Sequence, residues 1–405
     1  MKQIAFSLAA AIICITASGH AETLTLQDAL TKAATANYSL QVAAHDEKIA
    51  AEGIMLGRSG FLPRIDAQGG YTAQVDPQAI ETPFGSIQTH RTQFGFFSLS
   101  LYQTLYDFGR SGARLERAKS KREAAAFSYK GQEKDVFLQV VFTYFRILQT
   151  EKLLQAAIEE VAQMTDHLRI TQEMYDQGVV TRNDLLQAGV KLSTSKQLQL
   201  ERANLLENAW LELNYLTGQS PTYRANLDEN AVVEPARLEE KPDDALADRP
   251  EVKSLQKLVE SSIQDVRESK SGYSPELFAR LGLDYEQNNR VREETIMAAT
   301  VGIKFNLFDG LATTSRHRQA VQKRYRTEAA LRQLKESIRL EYQVAANDAR
   351  VFAEQISVTE KAVQQGDENL RINKDRYQAQ VGTATDVIDA QTLLTQVKTD
   401  YYHAF

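Results

Sequence analysis

Cysteine is all but missing from this chain: Cys14 is the only one in 405 residues, and it lies in an apolar run near the start. Structural disulfides and thiolate metal sites are thereby excluded from the remainder. Beyond that first run there is no stretch of about 18 apolar residues, so a membrane-crossing helix is excluded as well, and any passage through a bilayer must use strands. The six histidines, His20, His45, His90, His167, His317 and His403, show no metal-ligand spacing. No phosphate-binding glycine loop and no nucleophile elbow occurs, so neither an enzyme nor a cofactor is expected. Lys and Arg number 47 against 53 Asp and Glu, a balance of −6, and no basic block stands out as a nucleic-acid footprint. Only eight prolines accompany 43% hydrophobic residues, a composition that folds.

The first residues read as an export signal. Lys2 precedes an apolar run from Ile4 to Ile15, and Gly19-His20-Ala21 places small residues three and one positions before a cut ahead of Glu22. Cys14 follows Ile13 and lacks the small preceding residues of a lipoprotein site, which disfavours lipidation.

After residue 21 the chain repeats itself. Gly60-Phe61-Leu62-Pro63 corresponds to Gly272-Tyr273-Ser274-Pro275, and Tyr106-Asp107-Phe108-Gly109 loosely to Leu307-Phe308-Asp309-Gly310. Tyr175, Thr181, Asp184, Ala188 and Leu192 reappear at one constant offset as Tyr377, Thr383, Asp386, Ala390 and Leu394. The spacing divides the chain into a signal (1–21), a first helix-strand-strand-helix copy (22–218), an inter-repeat segment (219–249) and a second copy (250–405). The second return helix stops about four turns short of its counterpart, either because the sequence is cut or because the protein ends early.

Val140, Ile147, Leu154, Val161, Leu168 and Tyr175 recur every seven residues, as do Tyr342, Ala349, Ile356, Val363, Leu370 and Tyr377. This is a coiled-coil seam with left-handed wrapping. No proline occurs between Pro83 and Pro221, so a helix from about Ser111 to Gln177 can run unbroken for roughly 100 Å. Ahead of each long helix the period changes to two. Leu277, Ala279, Leu281, Leu283 and Tyr285 alternate with Phe278, Arg280, Gly282, Asp284 and Glu286. Ala299, Val301, Ile303, Phe305 and Leu307 alternate with Thr300, Gly302, Lys304 and Asn306, completing a hairpin. The first copy offers Ile65 to Ala73, a loop with Pro77 and Pro83, then Phe97, Leu99 and Leu101. Each strand covers about ten residues, enough to cross the hydrocarbon layer when tilted. Four strands cannot close a barrel, so several chains must share one. Two chains give eight strands and a filled bore, whereas three give twelve and can leave a lumen. A soluble periplasmic coiled-coil scaffold with a small sandwich is the alternative.

These residues resemble the TolC-type outer-membrane factor family, with Phe61-Leu62-Pro63, Tyr106-Asp107-Phe108-Gly109 and, most specifically, Val381-Gly382-Thr383-Ala384-Thr385-Asp386-Val387-Ile388-Asp389-Ala390 as its marks. The resemblance implies an α+β membrane protein. Long antiparallel coiled-coil helices form a periplasmic α-barrel, and four transmembrane strands per chain join a shared 12-stranded barrel in a homotrimer embedded in outer-membrane lipid. It implies an exit duct of a tripartite efflux pump or type I secretion system, with a periplasmic adaptor and an inner-membrane RND or ABC transporter as partners. Pro221 to Pro250 would belong to a belt around the tunnel. The family places the periplasmic mouth at the helix turns, here Gly178, Val179, Val180 and Thr181 and, in the second copy, Gln380, Val381, Gly382 and Thr383. Adaptor docking there would bury Val179, Val180 and Val381. Asp386 and Asp389, with Asp184 in the first copy, match an inward-facing acidic aperture in which crowding raises carboxylate pKa values. Some members carry a basic residue where this chain has Ala384, and Arg182 is nearby but on the other hairpin, so the resemblance implies an acidic constriction without assigning a latch.

Overall fold

The computed structural model describes residues 23–76, 78–229, 246, 248–290 and 292–404. The export signal, Pro77 and most of the inter-repeat segment lie outside them. The chain forms two units: one holds residues up to Asn37, Val136–Ala236 and Ala349–Phe405, and the other holds Tyr38–Asp135 and Arg237–Asp348.

The second unit contains the sheet. Helix α2 (Tyr38–Arg58) ends in a short 3-10 turn, Ser59–Phe61, before strand β2 (Arg64–Ala73), and helix α5 (Pro250–Lys270) does the same through Ser271–Tyr273 before β7 (Glu276–Glu286). Strand β5 (Gln93–Tyr106) and β8 (Thr295–Lys304) complete an antiparallel sheet in the order β2-β5-β7-β8. Both foreseen hairpins are present, with one difference at the end of β8: Phe305 and Leu307 fall beyond it, because β7 begins only at Glu276, opposite Lys304, and offers no partner further on. The loop after β2 holds a small extra hairpin, β3 (Ala79–Thr82) and β4 (Gly85–Gln88), which alternation alone did not announce.

The register puts most of the large apolar residues of the four strands on one face, although Phe94, Phe96, Phe278 and Ile296 stand on the other. Ile65 faces Leu101, Leu101 faces Leu281, and Leu281 faces Ala299; Leu99 faces Leu283, which faces Met297. That face is open: Met297 is 79% exposed and Val301 71%. On the other face stand Asp66, Ser98, Ser100, Arg280, Asp284, Thr300 and Lys304. Strands β2 and β8 each have one edge without a partner strand among the described residues.

Each hairpin is followed by a 67-residue helix, α3 (Arg110–Asp176) and α6 (Ala312–Gln378). Their starts are built alike. Asp107 Oδ2 accepts from Ser111 N (2.7 Å) and Ser111 Oγ (2.6 Å), and Asp309 Oδ2 accepts from Thr313 N (2.9 Å) and Thr313 Oγ1 (2.7 Å). Side-chain oxygens thus satisfy donors that have no partner within the helix. The loose sequence match is thereby corrected by one residue: Asp107 is equivalent to Asp309, and Phe108 (φ 53°) and Gly109 (φ 86°) to Gly310 (φ 65°) and Leu311 (φ 68°).

In the first unit the later part of α3 packs with helices α1 (Leu26–Ala36), α4 (Arg182–Thr217) and α7 (Ala384–Ala404) and with the parallel pair β1 (Thr23–Leu24) and β6 (Asn226–Leu227). The fully buried Tyr144 joins this pair to α3: its hydroxyl donates to Leu24 O (2.9 Å) and accepts from Asp228 N (2.8 Å). The seam holds at Val140 and Ile147 and then departs from the seven-residue count. The buried positions become Leu153, Ala157, Glu160, Met164, His167 and Thr171, so Val161 and Leu168 stand one residue beside the seam and Tyr175 is exposed. Polar residues hold the seam there, Glu160 and Thr171 through hydrogen bonds, which an apolar count cannot see. In α6, Leu370 and Tyr377 are buried as expected, whereas Ala349 is exposed.

Candidate functional site

The two turns between long and return helices come together in the first unit. In the first copy Gly178 adopts φ 75°, the left-handed conformation that ends a helix, and Val179 N donates to Met174 O (2.9 Å). Thr181 then opens α4 through a capping box: Thr181 N donates to Asp184 Oδ2 (2.9 Å), and Asp184 N to Thr181 Oγ1 (3.3 Å). The second copy repeats this with Gln380 (φ 59°) in the place of Gly178. Val381 N donates to Arg376 O (3.0 Å), Thr383 N to Asp386 Oδ2 (2.9 Å), and Asp386 N to Thr383 Oγ1 (3.1 Å). Gly382 is needed for a different reason: a Cβ there would lie 3.2 Å from the Arg376 Cβ and 3.3 Å from the Tyr377 N.

Behind the turns lies an apolar cluster of Leu370, Tyr377, Ala384, Val387, Ala390 and Leu394, against which Ile170, Met174 and Val180 pack. Val180 therefore belongs to the chain's own packing and not to a free docking surface. Val179 and Val381, 44% and 67% exposed, remain available. A cross-link joins the hairpins at the buried Thr171, whose Oγ1 lies 3.0 Å from the Tyr377 hydroxyl, and Thr385 Oγ1 donates to Gln187 Oε1 (3.3 Å). Burial pushes the Tyr377 phenol up, and the charge of Asp184 adds to the shift.

Asp184 and Asp386 are thus capping residues, each half-buried, while Asp389 is exposed. Hydrogen bonds from Thr383 hold the Asp386 carboxyl below the usual range, helped by the nearby charge of Arg376. Within one chain the shift is opposite to the rise expected from crowding, and Asp386 is ionised at neutral pH. The nearby basic residue whose charge acts on Asp386 is Arg376, which, like Arg182, makes no ion pair among the described residues. Arg182 is exposed, and Arg376, one helical turn before the turn, donates to Val381 O at 3.5 Å.

Two further buried polar groups escaped the sequence reading. Glu160 accepts from Ser195 Oγ (2.8 Å) on α4 and Thr395 Oγ1 (2.8 Å) on α7, with Lys191 Nζ at 3.1 Å. His167, buried beside the Tyr377 ring at 5.2 Å between centroids, is pushed down by burial and by the charge of Lys374, with Asp166 opposing. A polar residue falling on the seam's own spacing was the available signal for both. Among the described residues no group of three or more His, Cys, Asp or Glu could hold a metal.

The profile of the family described as outer membrane efflux protein matches residues 29–219 and 242–404. The chain belongs to this family. As an outer membrane efflux protein it is a channel component and not an enzyme, located in the outer membrane with its helical tunnel in the periplasm. It is 22% identical over 86% of its length to the alkaline protease secretion protein AprF of Pseudomonas aeruginosa, covering 76% of that protein. To the outer membrane protein TolC of Vibrio cholerae it is 24% identical over 87% of its length, covering 80% of that protein. The fold is that of the Vibrio cholerae outer membrane protein VceC, with a TM-score of 0.78 at 16% identity, covering 94% of this chain and 92% of VceC. The outer-membrane channel OprN gives 0.78 at 17% identity over 94% of this chain and 86% of its own. The soluble scaffold is not favoured by these likenesses.

Proposed function

We propose that this outer membrane efflux protein is the passive exit duct of a tripartite efflux pump or type I secretion system, gated at its periplasmic end. Three copies share a 12-stranded barrel in outer-membrane lipid, and their helices form the tunnel. The observation that carries this reading is the sheet: one face is apolar and exposed, the other carries most of the charged and polar side chains, and two edges have no partner strand among the described residues. Lipid forbids unpaired backbone groups, so the edges must pair with other copies. Val179, Val381, Gly178, Thr181, Gly382 and Thr383 present a small, partly apolar tip to the helices of a periplasmic adaptor, through which an RND or ABC transporter in the inner membrane is engaged. Threefold symmetry brings the Asp386 and Asp389 carboxylates round one aperture, with Asp184 behind them, which attracts cations. Conductance of the purified protein in planar bilayers tests the reading. Cation-preferring steps support it, and a membrane-free periplasmic protein without conductance contradicts it.

A further inference from the structure

Where strands pass into helices, the second unit holds a cavity of about 720 Å³, within the range of small-molecule sites. Six cationic side chains line it, Arg110, Arg114, Arg117, Lys304, Arg316 and Lys323, against three carboxylates, Asp265, Glu268 and Glu276. The carboxylates are already engaged. Arg110 pairs with Glu276 (3.1 Å), Arg114 with Glu268 (3.1 Å), and Arg117 with Asp265 (2.6 Å) and Glu268 (2.7 Å). Arg316 stands 3.8 Å from Asp309, whose oxygen already caps α6 through Thr313. Lys304 and Lys323 have no carboxylate within 4.0 Å among the described residues. Arg316 and Lys323, seven residues apart, lie on one face of α6, and their charges reinforce each other at the cavity.

The register fixes which side of the sheet the cavity serves. Glu276 and Lys304 face each other directly, and the next pair, Leu277 with Ile303, belongs to the exposed apolar face. Alternation therefore turns Glu276 and Lys304 to the polar side. A lipid headgroup would have to approach from the apolar side, whereas a solute on the water-lined side meets the cations. Tyr102 OH (2.9 Å) and Thr104 Oγ1 (3.1 Å) also donate to Glu276, so this carboxylate, and through it the Arg110 guanidinium, is held in place.

We infer that this cavity is a binding site for a small polyvalent anion bearing phosphate or carboxylate groups. Arg110, Arg114 and Arg117 supply donors oriented by their carboxylates, Arg316 stands beside them in its pair with Asp309, and Lys304 and Lys323 supply the uncompensated charge. Its place in a lumen rests on the duct reading above; three copies would then make a cationic girdle far along the chain from the acidic turns and opposite to them in sign. The test is calorimetric titration of the detergent-solubilised full chain with inorganic pyrophosphate, beside bilayer conductance of the same preparation. Binding that weakens with added salt, falls about tenfold or more in K304Q/K323Q, persists in K304R/K323R and is unchanged in K196Q supports the site; Lys196 is exposed on α4. Absence of binding in the wild type, or an equal loss in K196Q, overturns it. Conductance without pyrophosphate binding overturns the cavity and leaves the duct. Binding without conductance overturns the duct and leaves the cavity.

Discussion

His167 stands at a seam position of α3 with its Nε2 unpartnered among the described residues, so burial favours the neutral ring. Its folded pKa lies below the ordinary 6.5, and the sign follows: the stabilisation is complete above about pH 6.5 and is lost as pH falls towards the depressed folded value. Protection factors of the amides around Thr171 and Tyr377, taken relative to intrinsic exchange at each pH, should fall as pH drops below that point, and His167→Gln should flatten the dependence. Asp386 behaves alike in a lower window. Its cap is intact above the ordinary 3.8 and is lost as pH falls through the lowered folded value. At neutral pH, Asp386→Asn with Asp389→Asn should reduce the cation preference seen in reversal potentials; an unchanged preference would remove the aperture role. Glu160 is the third case. Glu160→Ala strands Lys191 among buried neighbours and should cost about 3 kcal/mol, whereas Glu160→Met with Lys191→Met should restore most of it. Thermal unfolding in detergent measures both.

At the scale of elements the return helices depend on tight ends and close packing. Gly218 ends α4 at φ 66°, and a Cβ there would lie 2.6 Å from the Ala36 Cβ. Gly218→Ala should therefore destabilise by about 1–3 kcal/mol through backbone strain and overpacking. Leu394→Ala empties the cluster behind the turns and should cost about 2–5 kcal/mol, read as a lower melting temperature. Much of this level was legible in advance. Strand alternation and the constant offset between Thr181 and Thr383 announced the hairpins, the long helices and the turns, because periodicity and caps are local signals. The seam below Ile147 was not legible, since Glu160 and Thr171 occupy it through hydrogen bonds to residues distant in sequence and His167 through its ring contact with Tyr377. The same holds for Arg376, whose relation to Asp386 comes from the turn's geometry, and for Val180, which packing removes from the tip's surface. The basic residues from Arg316 to Arg326 did not stand out in the sequence, because their meaning depends on Lys304 and Arg110, which only the sheet brings beside them.

At the scale of the whole molecule, one chain has too little sheet to enclose a lumen. Strands β2 and β8 are its two edges without a partner strand among the described residues, separated by β5 and β7. That separation is three strand spacings, roughly 14 Å at about 4.8 Å each, well beyond the roughly 7 Å limit for a disulfide between Cα atoms. A bond between the two edges can therefore form only between chains. The chain has no cysteine after Cys14, so introduced thiols report without background. The decisive measurement pairs single cysteines at Gln68 or Thr72 on β2 with single cysteines at Ala298 or Thr300 on β8, followed by oxidation in membranes and denaturing electrophoresis. Shared-barrel closure predicts covalent dimers and trimers for at least one pair, with no larger species. Monomers for every pair, or a ladder that continues past the trimer, would contradict it.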